Sequence, residues 1–264
     1  PHSETAASLQ SALRYEVEQS GVTVFTEQSV LSVEKKDGSF YVTTDTDSFC
    51  GHACILATGS KAAPKTGSDG SGYTLARKFG HHIIKPLPAL VQLTSDNPLC
   101  KAMSGVRSTG TVTVFADGNP VASDTGEIQY TDYGISGIPV FQLSRYAVRA
   151  LEESQKAELS INFFPEYTTE ELTELLDRRR ELCPYQSEAE LLVGLLPDKL
   201  IRVFRKQKDL IQTLTSYRLT VRGSTGMEQA QVCSGGVDTT QVNAETLESN
   251  IHKGLYFAGE LLDI

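Results

Sequence analysis

Apolar residues recur at Leu9, Ala12, Leu13 and Val17, spaced three or four apart, and Gly21 follows where helices end. The chain therefore opens on an amphipathic helix, with Ser3 as its expected N-cap. Short apolar runs at residues 22–25 and 30–33 read as strands, and residues 36–39 are a turn signal leading into a strand at 40–44. From Phe49 the residues alternate, become continuously apolar and stop at Ala57, Thr58 and Gly59, which reads as one strand. A glycine-rich stretch, Gly67, Gly70 and Gly72, precedes a short helix over 73–79 closed by Gly80. From Pro86 the pattern turns strand-like at 90–93, 106–116 and 121–130, with a hairpin turn at 117–119. A helix follows Pro139, and a strand covers 158–164. Thr168 with Glu171 and Ser187 with Glu190 are capping boxes, each expected to open an apolar-periodic helix. Strands return at 216–221 and 229–233, and a last apolar run ends on Ala258, Gly259 and Glu260.

Two strands thus finish alike, one at Ala57, Thr58 and Gly59 and the other at Gly259 and Glu260. Small residues at a strand end let backbone approach a nucleotide, and the carboxylate can accept from a ribityl or ribose hydroxyl. The pair points to a dinucleotide site shared by distant segments. No Gly-x-Gly-x-x-Gly follows a strand and opens a helix, although that device commonly holds a pyrophosphate. No nucleophile elbow, zincin helix or Walker loop is present either, so hydrolase and triphosphatase readings lack their defining parts.

With 264 residues, 39 % of them hydrophobic, the chain can bury a sizeable core. Its formal net charge of −9 argues against nucleic acid or an anionic membrane as partner. The one basic run, Arg178 to Arg180, lies on a Glu-rich helical pattern and reads as a solvated face. No apolar run approaches the ~20 residues of a membrane span. Five cysteines without a framework suit a reducing cytoplasm. Cys50, His52 and Cys54 would share one strand face, but residues four apart lie roughly 13 Å from each other, beyond disulfide reach. Ordinary packing outweighs a zinc site there, and no metal is expected. His81 and His82 follow a helix C-terminus and read as caps interacting with its dipole.

The residues also carry a family resemblance. Residues 1–8, 56–60, 64–73, 88–91, 133–137, 233–237 and 254–264 together resemble the YhiN/BaiN-like flavoproteins, also called aminoacetone-oxidase-like FAD enzymes. The resemblance implies a mixed α/β and α+β fold, an incomplete Rossmann-like FAD-binding domain interrupted by an inserted antiparallel β-barrel-like domain with a helical subdomain. The implied parts are residues 1–88 and 226–264 for the FAD domain, 89–165 and 212–225 for the β insert, and 166–211 for the helical subdomain. It implies FAD as cofactor, contacted by Ala57, Thr58, Gly59, Thr66, Gly67, Gly70, Gly259, Glu260 and Asp263. Gly134, Ser136, Gly137, Gly235 and Gly236 are implied to line the substrate side. Where relatives carry a second glycine, Ser60 stands here, and a positive φ there would strain it. The phosphate-binding glycines of the family and its closing turn and helix lie outside these residues. The resemblance thus implies a truncated piece of a larger flavoenzyme, inactive and a weak flavin binder by itself.

The implied activity is hydride transfer between a small organic substrate and flavin, with NAD(P)H or another electron partner. No catalytic acid or base is assigned, Tyr130 and Tyr133 being the candidates nearest the glycine loop. The alternative is an insert acting as a non-catalytic substrate-delivery or protein-interaction module.

Overall fold

The computed structural model describes residues 2–264 and divides the chain into two compact units, one up to Cys54 and the other from Ile55 onward. In the first, helix α1 (Ala6–Gln19) precedes an antiparallel meander of β1 (Val30–Lys36), β2 (Ser39–Thr44) and β3 (Ser48–Gly51). Asp37 and Gly38 both adopt positive φ in the β1–β2 turn, which matches the twist of the strands they join. Val33 and Phe40 are the buried apolar residues of this sheet. Two expectations fail here. Thr5 stands at the N-cap position without a side-chain capping bond, while the Ser3 hydroxyl bonds to Ser8 Oγ at 2.7 Å. Residues 22–25 form no strand, having no ladder partner to offset the loss of solvent hydrogen bonds.

The strand expected over 49–59 is interrupted. It stops at Gly51 and resumes as β4 (Cys54–Leu56), so Cys50 and Cys54 do not share one strand face. Among the described residues no group of His, Cys, Asp or Glu side chains is placed to hold a metal.

In the second unit α2 (Ser71–Lys78), β5 (Ile83–Ala89), β6 (Leu93–Thr94) and α3 (Leu99–Met103) come first. They lead to β7 (Arg107–Ala116), β8 (Asn119–Tyr130), β9 (Gly134–Gly137), α4 (Ile138–Glu152) and β10 (Ala157–Asn162). Helices α5 (Thr169–Leu182), α6 (Asp198–Phe204) and α7 (Leu210–Thr215) follow. The chain closes with β11 (Tyr217–Thr220), β12 (Gly223–Ser224), β13 (Val232–Val237) and β14 (Leu255–Phe257). Among the described residues no helix is long and apolar enough to cross a membrane.

Seven of these strands form one antiparallel sheet in the order β11-β10-β7-β8-β9-β6-β12. Its edge strands are joined by only Val221 and Arg222, whose amides bond to Ala157 on one side and Thr94 on the other. Strands spaced ~4.8 Å apart would set the edges of a flat seven-stranded sheet about 29 Å apart. Two linking residues span about 11 Å at most, so the sheet curls strongly. Helix α4 lays Val140, Leu143 and Ala147 against Val112, Val114, Ile128 and Leu159, all buried in one core. Each of these valine, leucine and isoleucine side chains contributes roughly 1.5–3 kcal/mol by leaving water.

The Thr168 capping box forms with both of its bonds, Glu171 N to Thr168 Oγ1 at 3.2 Å and Thr168 N to Glu171 Oε2 at 2.8 Å. The second box does not open a full helix. Ser187 Oγ donates to Glu190 instead of accepting from the backbone, and only a 3₁₀ turn over Glu190–Leu192 follows before Gly194 and Pro197. Arg180 in the basic run pairs with Asp177 and Glu188, one exposed cation between two carboxylates.

His81 is no exposed cap. Its side chain is buried, with Nε2 2.8 Å from Ser249 Oγ and the ring edge-on to Phe257 at 4.6 Å. Burial pushes its pKa down, and the neighbouring His252 acts in the same direction. A depressed folded-state pKa means that the unfolded chain takes up a proton first as pH falls below about 6.5. Thermal stability is therefore expected to decline as pH drops from about 6.5, and His81→Gln should flatten that slope in melting curves recorded between pH 7 and 5. An unchanged slope in the variant would assign the decline to other groups.

Candidate functional site

The two similar strand ends lie side by side. The Ala258 amide donates to Leu56 O at 3.0 Å, so β14 runs beside the end of β4. Shortly past each end, Gly59 and Gly259 turn into the left-handed region at φ 74° and 71°. The chain then brings Ser60 and Glu260 together, Ser60 Oγ donating to Glu260 Oε2 at 3.0 Å across 200 residues of sequence. Ser60 is buried, whereas Glu260 is exposed on a short 3₁₀ turn over Gly259–Leu261. The serine carries no positive φ; the residue before it does. The strain expected from placing serine at 60 is thus absent, and its hydroxyl fixes the carboxylate.

Helix α2 closes this arrangement from the side. A Cβ on Gly72 would stand 1.8 Å from Thr58 Oγ1 and 3.1 Å from Leu261 Cδ1, so only glycine lets the helix start touch both strand ends. Gly70 forms the N-cap at φ 82°, and the Ser71 amide is held by Asp69 Oδ1 at 2.8 Å. The preceding loop packs on Gly59, where a Cβ would meet Ser68 Cβ at 3.0 Å. Thr66 bonds within the loop to Ala63 O at 2.8 Å, and Gly67 sits at φ 118° with open space around it. Ala63 and Leu90 also hold positive φ, at 44° and 47°, a strained setting for side-chain-bearing residues that clusters around functional sites.

Asp263 organises the neighbouring strand. Its Oδ1 accepts from the Gly235 amide at 2.8 Å, and its own amide donates to Val237 O at 3.0 Å. Gly235 and Gly236 lie where the β13–β5 register shifts; a Cβ on Gly236 would stand 2.6 Å from Leu261 O. Beside them an open pocket of about 240 Å³ is lined by Ala89, Leu90, Gln142, Arg145, Cys233 and Ser234, among others. Arg149 reaches its rim through a 2.8 Å bond to Ser234 Oγ.

The other proposed substrate-side residues, Gly134, Ser136 and Gly137, belong to β9 inside the seven-stranded sheet. Their glycines admit close backbone, a Cβ on Gly134 standing 2.2 Å from Leu93 O and one on Gly137 standing 2.3 Å from Glu127 O. Tyr130 is buried beside Ser108 Oγ at 3.2 Å, and burial raises its pKa far above the ordinary phenol value. That makes it a structural hydrogen-bonding group with little use as a base. Tyr133 is exposed. Three residues of the arrangement escaped sequence reasoning: Ser60 as a partner of Glu260, Gly72 as the contact point, and the buried Tyr73. A Gly-x-Gly-Tyr run opening a helix was the available signal for the last two.

The chain matches the model of the HI0933-like protein Rossmann domain over residues 1–264. It is 38 % identical over its whole length to the 3-dehydro-bile acid delta(4,6)-reductase of Clostridium scindens, covering 69 % of that protein. It is 28 % identical to the ribosomal RNA dihydrouridine synthase of Haemophilus influenzae and 29 % identical to that of Escherichia coli, covering 67 % of each.

Replacing a helical glycine with alanine ordinarily stabilises a helix by about 1 kcal/mol. At Gly72 the sign should reverse. Gly72→Ala is expected to destabilise the protein by about 1–3 kcal/mol through the forced shift of Thr58, measured by urea unfolding. A neutral or stabilised variant would show that α2 does not bear on the strand ends.

Proposed function

The chain belongs to the HI0933-like Rossmann-domain family, and from that premise we propose that it serves an FAD-dependent oxidoreductase that moves a hydride between flavin and a small organic substrate. The observation that carries this reading is the Ser60–Glu260 bond beside two glycine-terminated strands. The residues suit the cofactor. Gly259 has no described atom within 4 Å of the position a Cβ would take, and the Glu260 carboxylate beside it is exposed. FAD, when bound, supplies the ring that accepts or donates the hydride.

The chain's own residues do the rest. Glu260, fixed by Ser60, accepts from a ribityl or ribose hydroxyl. Gly59 and Gly259 let backbone approach the ligand, and Gly70 does the same at the start of α2. Ala57, Thr58, Thr66 and Gly67 complete the cofactor side. Asp263 holds Gly235 and Gly236 in the shape that leaves room for substrate, with Gly134, Ser136 and Gly137 contributing from the insert. The insert we assign to residues 89–165 and 212–225, with 166–211 as its helical part; the tight 221–222 link between sheet edges supports a barrel-like form. NAD(P)H or another electron partner completes the proposed cycle.

The relatives name two substrate classes, a 3-dehydro-bile acid and ribosomal RNA. A net charge of −9 supports the small molecule, because RNA binding rests on cationic surface that neutralises phosphates. The test uses the protein purified in the form its own gene encodes. It should carry the absorption bands of oxidised flavin, and the bleached, reduced form should regain them under anaerobic conditions on adding a 3-dehydro-bile acid that carries the 4,6 double bonds, which take up the hydride, but not an unmodified ribosomal RNA fragment. Recovery with RNA alone would reverse the substrate assignment, and colourless protein that ignores added FAD would remove the reading. Glu260→Ala should weaken FAD binding about 10- to 100-fold, the loss of a charge-assisted hydrogen bond, while costing about 1–3 kcal/mol of stability because the buried Ser60 hydroxyl loses its acceptor.

A further inference from the structure

Tyr73 follows the close-packed Gly72 in the first turn of α2. Its side chain is buried, the residue only 5 % exposed, yet its hydroxyl has no hydrogen-bond partner among the described residues. An unpaired buried hydroxyl is destabilising compared with the phenylalanine that would fill the same space. The Lys61 backbone, the Cys233 thiol and the Glu260 charge all act on it, yet none meets hydrogen-bonding geometry. Burial, then Cys233 and Glu260, push the phenol's pKa far above its ordinary value, so it stays protonated and offers a donor.

Cys233 is the movable element. It is half-buried, its Sγ lies 3.7 Å from Met227 Sδ, and it also lines the open pocket with Ser234 and Arg145. A single thiol therefore stands next to both an unsatisfied phenol and a pocket large enough for part of a ring system. Turning a cysteine side chain about one torsion moves it between staggered positions without disturbing the backbone.

We infer that Tyr73 is a positioning residue whose hydroxyl donates to an acceptor atom of the flavin bound at the Ser60–Glu260 edge, with Cys233 turning aside to admit it. The inference rests on the flavin reading and adds to it a residue outside the strand ends. It also explains why the free protein tolerates an unmet donor: the partner arrives with the ligand.

The test compares wild type with Tyr73→Phe in the form the gene encodes, measuring melting temperature without FAD, FAD affinity and the bound flavin's absorption bands. Tyr73→Phe is expected to melt at the same or a higher temperature without FAD, to bind FAD about three- to tenfold more weakly, and to shift the bands. Cys233→Ser is a second variant, because its hydroxyl can satisfy the phenol internally. It should weaken FAD binding when Tyr73 is present and have no effect in the Tyr73→Phe background, a non-additivity that independent packing changes would not give. Unchanged FAD affinity in Tyr73→Phe overturns the inference while leaving the flavin reading intact. Wild-type protein that binds no FAD overturns both.

Discussion

The arrangement depends on one missing atom. Without a Cβ, Gly72 lets the first turn of α2 rest on Thr58 and Leu261 together, and these residues flank the glycine turns that end the two strands. The Leu56–Ala258 backbone bond sets the strands side by side, but it does not fix the path of the chain beyond them. Gly59 and Gly259 free the chain to turn, and a freed chain needs something to stop it. The helix start supplies that stop. The Ser60–Glu260 bond is then the consequence of three elements converging.

Regular local patterns translated well from the chain alone. The β7–β8 hairpin with its Asp117 and Gly118 turn, α4 behind Pro139 and the Thr168 box all follow from interactions within a few residues. Expectations that needed a distant partner fared differently. Residues 22–25 have strand composition and no strand to pair with, and Ser187 has the right neighbour but uses its hydroxyl as a donor. His81 reads as a cap because Ser249, which receives it, lies 168 residues away. The likeness of the two strand ends was legible because both carry the same small residues. The bond joining Ser60 to Glu260 was not, since serine there reads as a departure from a glycine.

The curled sheet shows the same dependence on distant closure. Nothing in the alternation of β7, β8 or β10 signals curvature; it arises from Val221 and Arg222 having to bridge opposite edges. Glycines in β9 accommodate that geometry, each touching the backbone of a neighbouring strand where a side chain would not fit. Gly134 and Gly137 therefore have a sufficient explanation in sheet packing alone. Gly235 and Gly236 differ, because Asp263, just past the Glu260 turn, holds them in a register shift. That contact ties β13 to the strand-end cluster directly, which makes it the better anchored of the two glycine pairs.

Two buried phenols of this unit differ in how their hydroxyls are met. Tyr130 and Tyr73 are both buried phenols, but Tyr130 bonds to Ser108 and is explained by the core around it. Tyr73 is not explained by its surroundings, and neither its ring nor its backbone needs the hydroxyl. A fold that places the neighbouring polar groups in bonds, from Ser60 and Glu260 to Asp263 and Gly235, has no packing reason to leave one donor unmet at the same spot. The unmet donor therefore bears on what the site receives more than on how the chain folds.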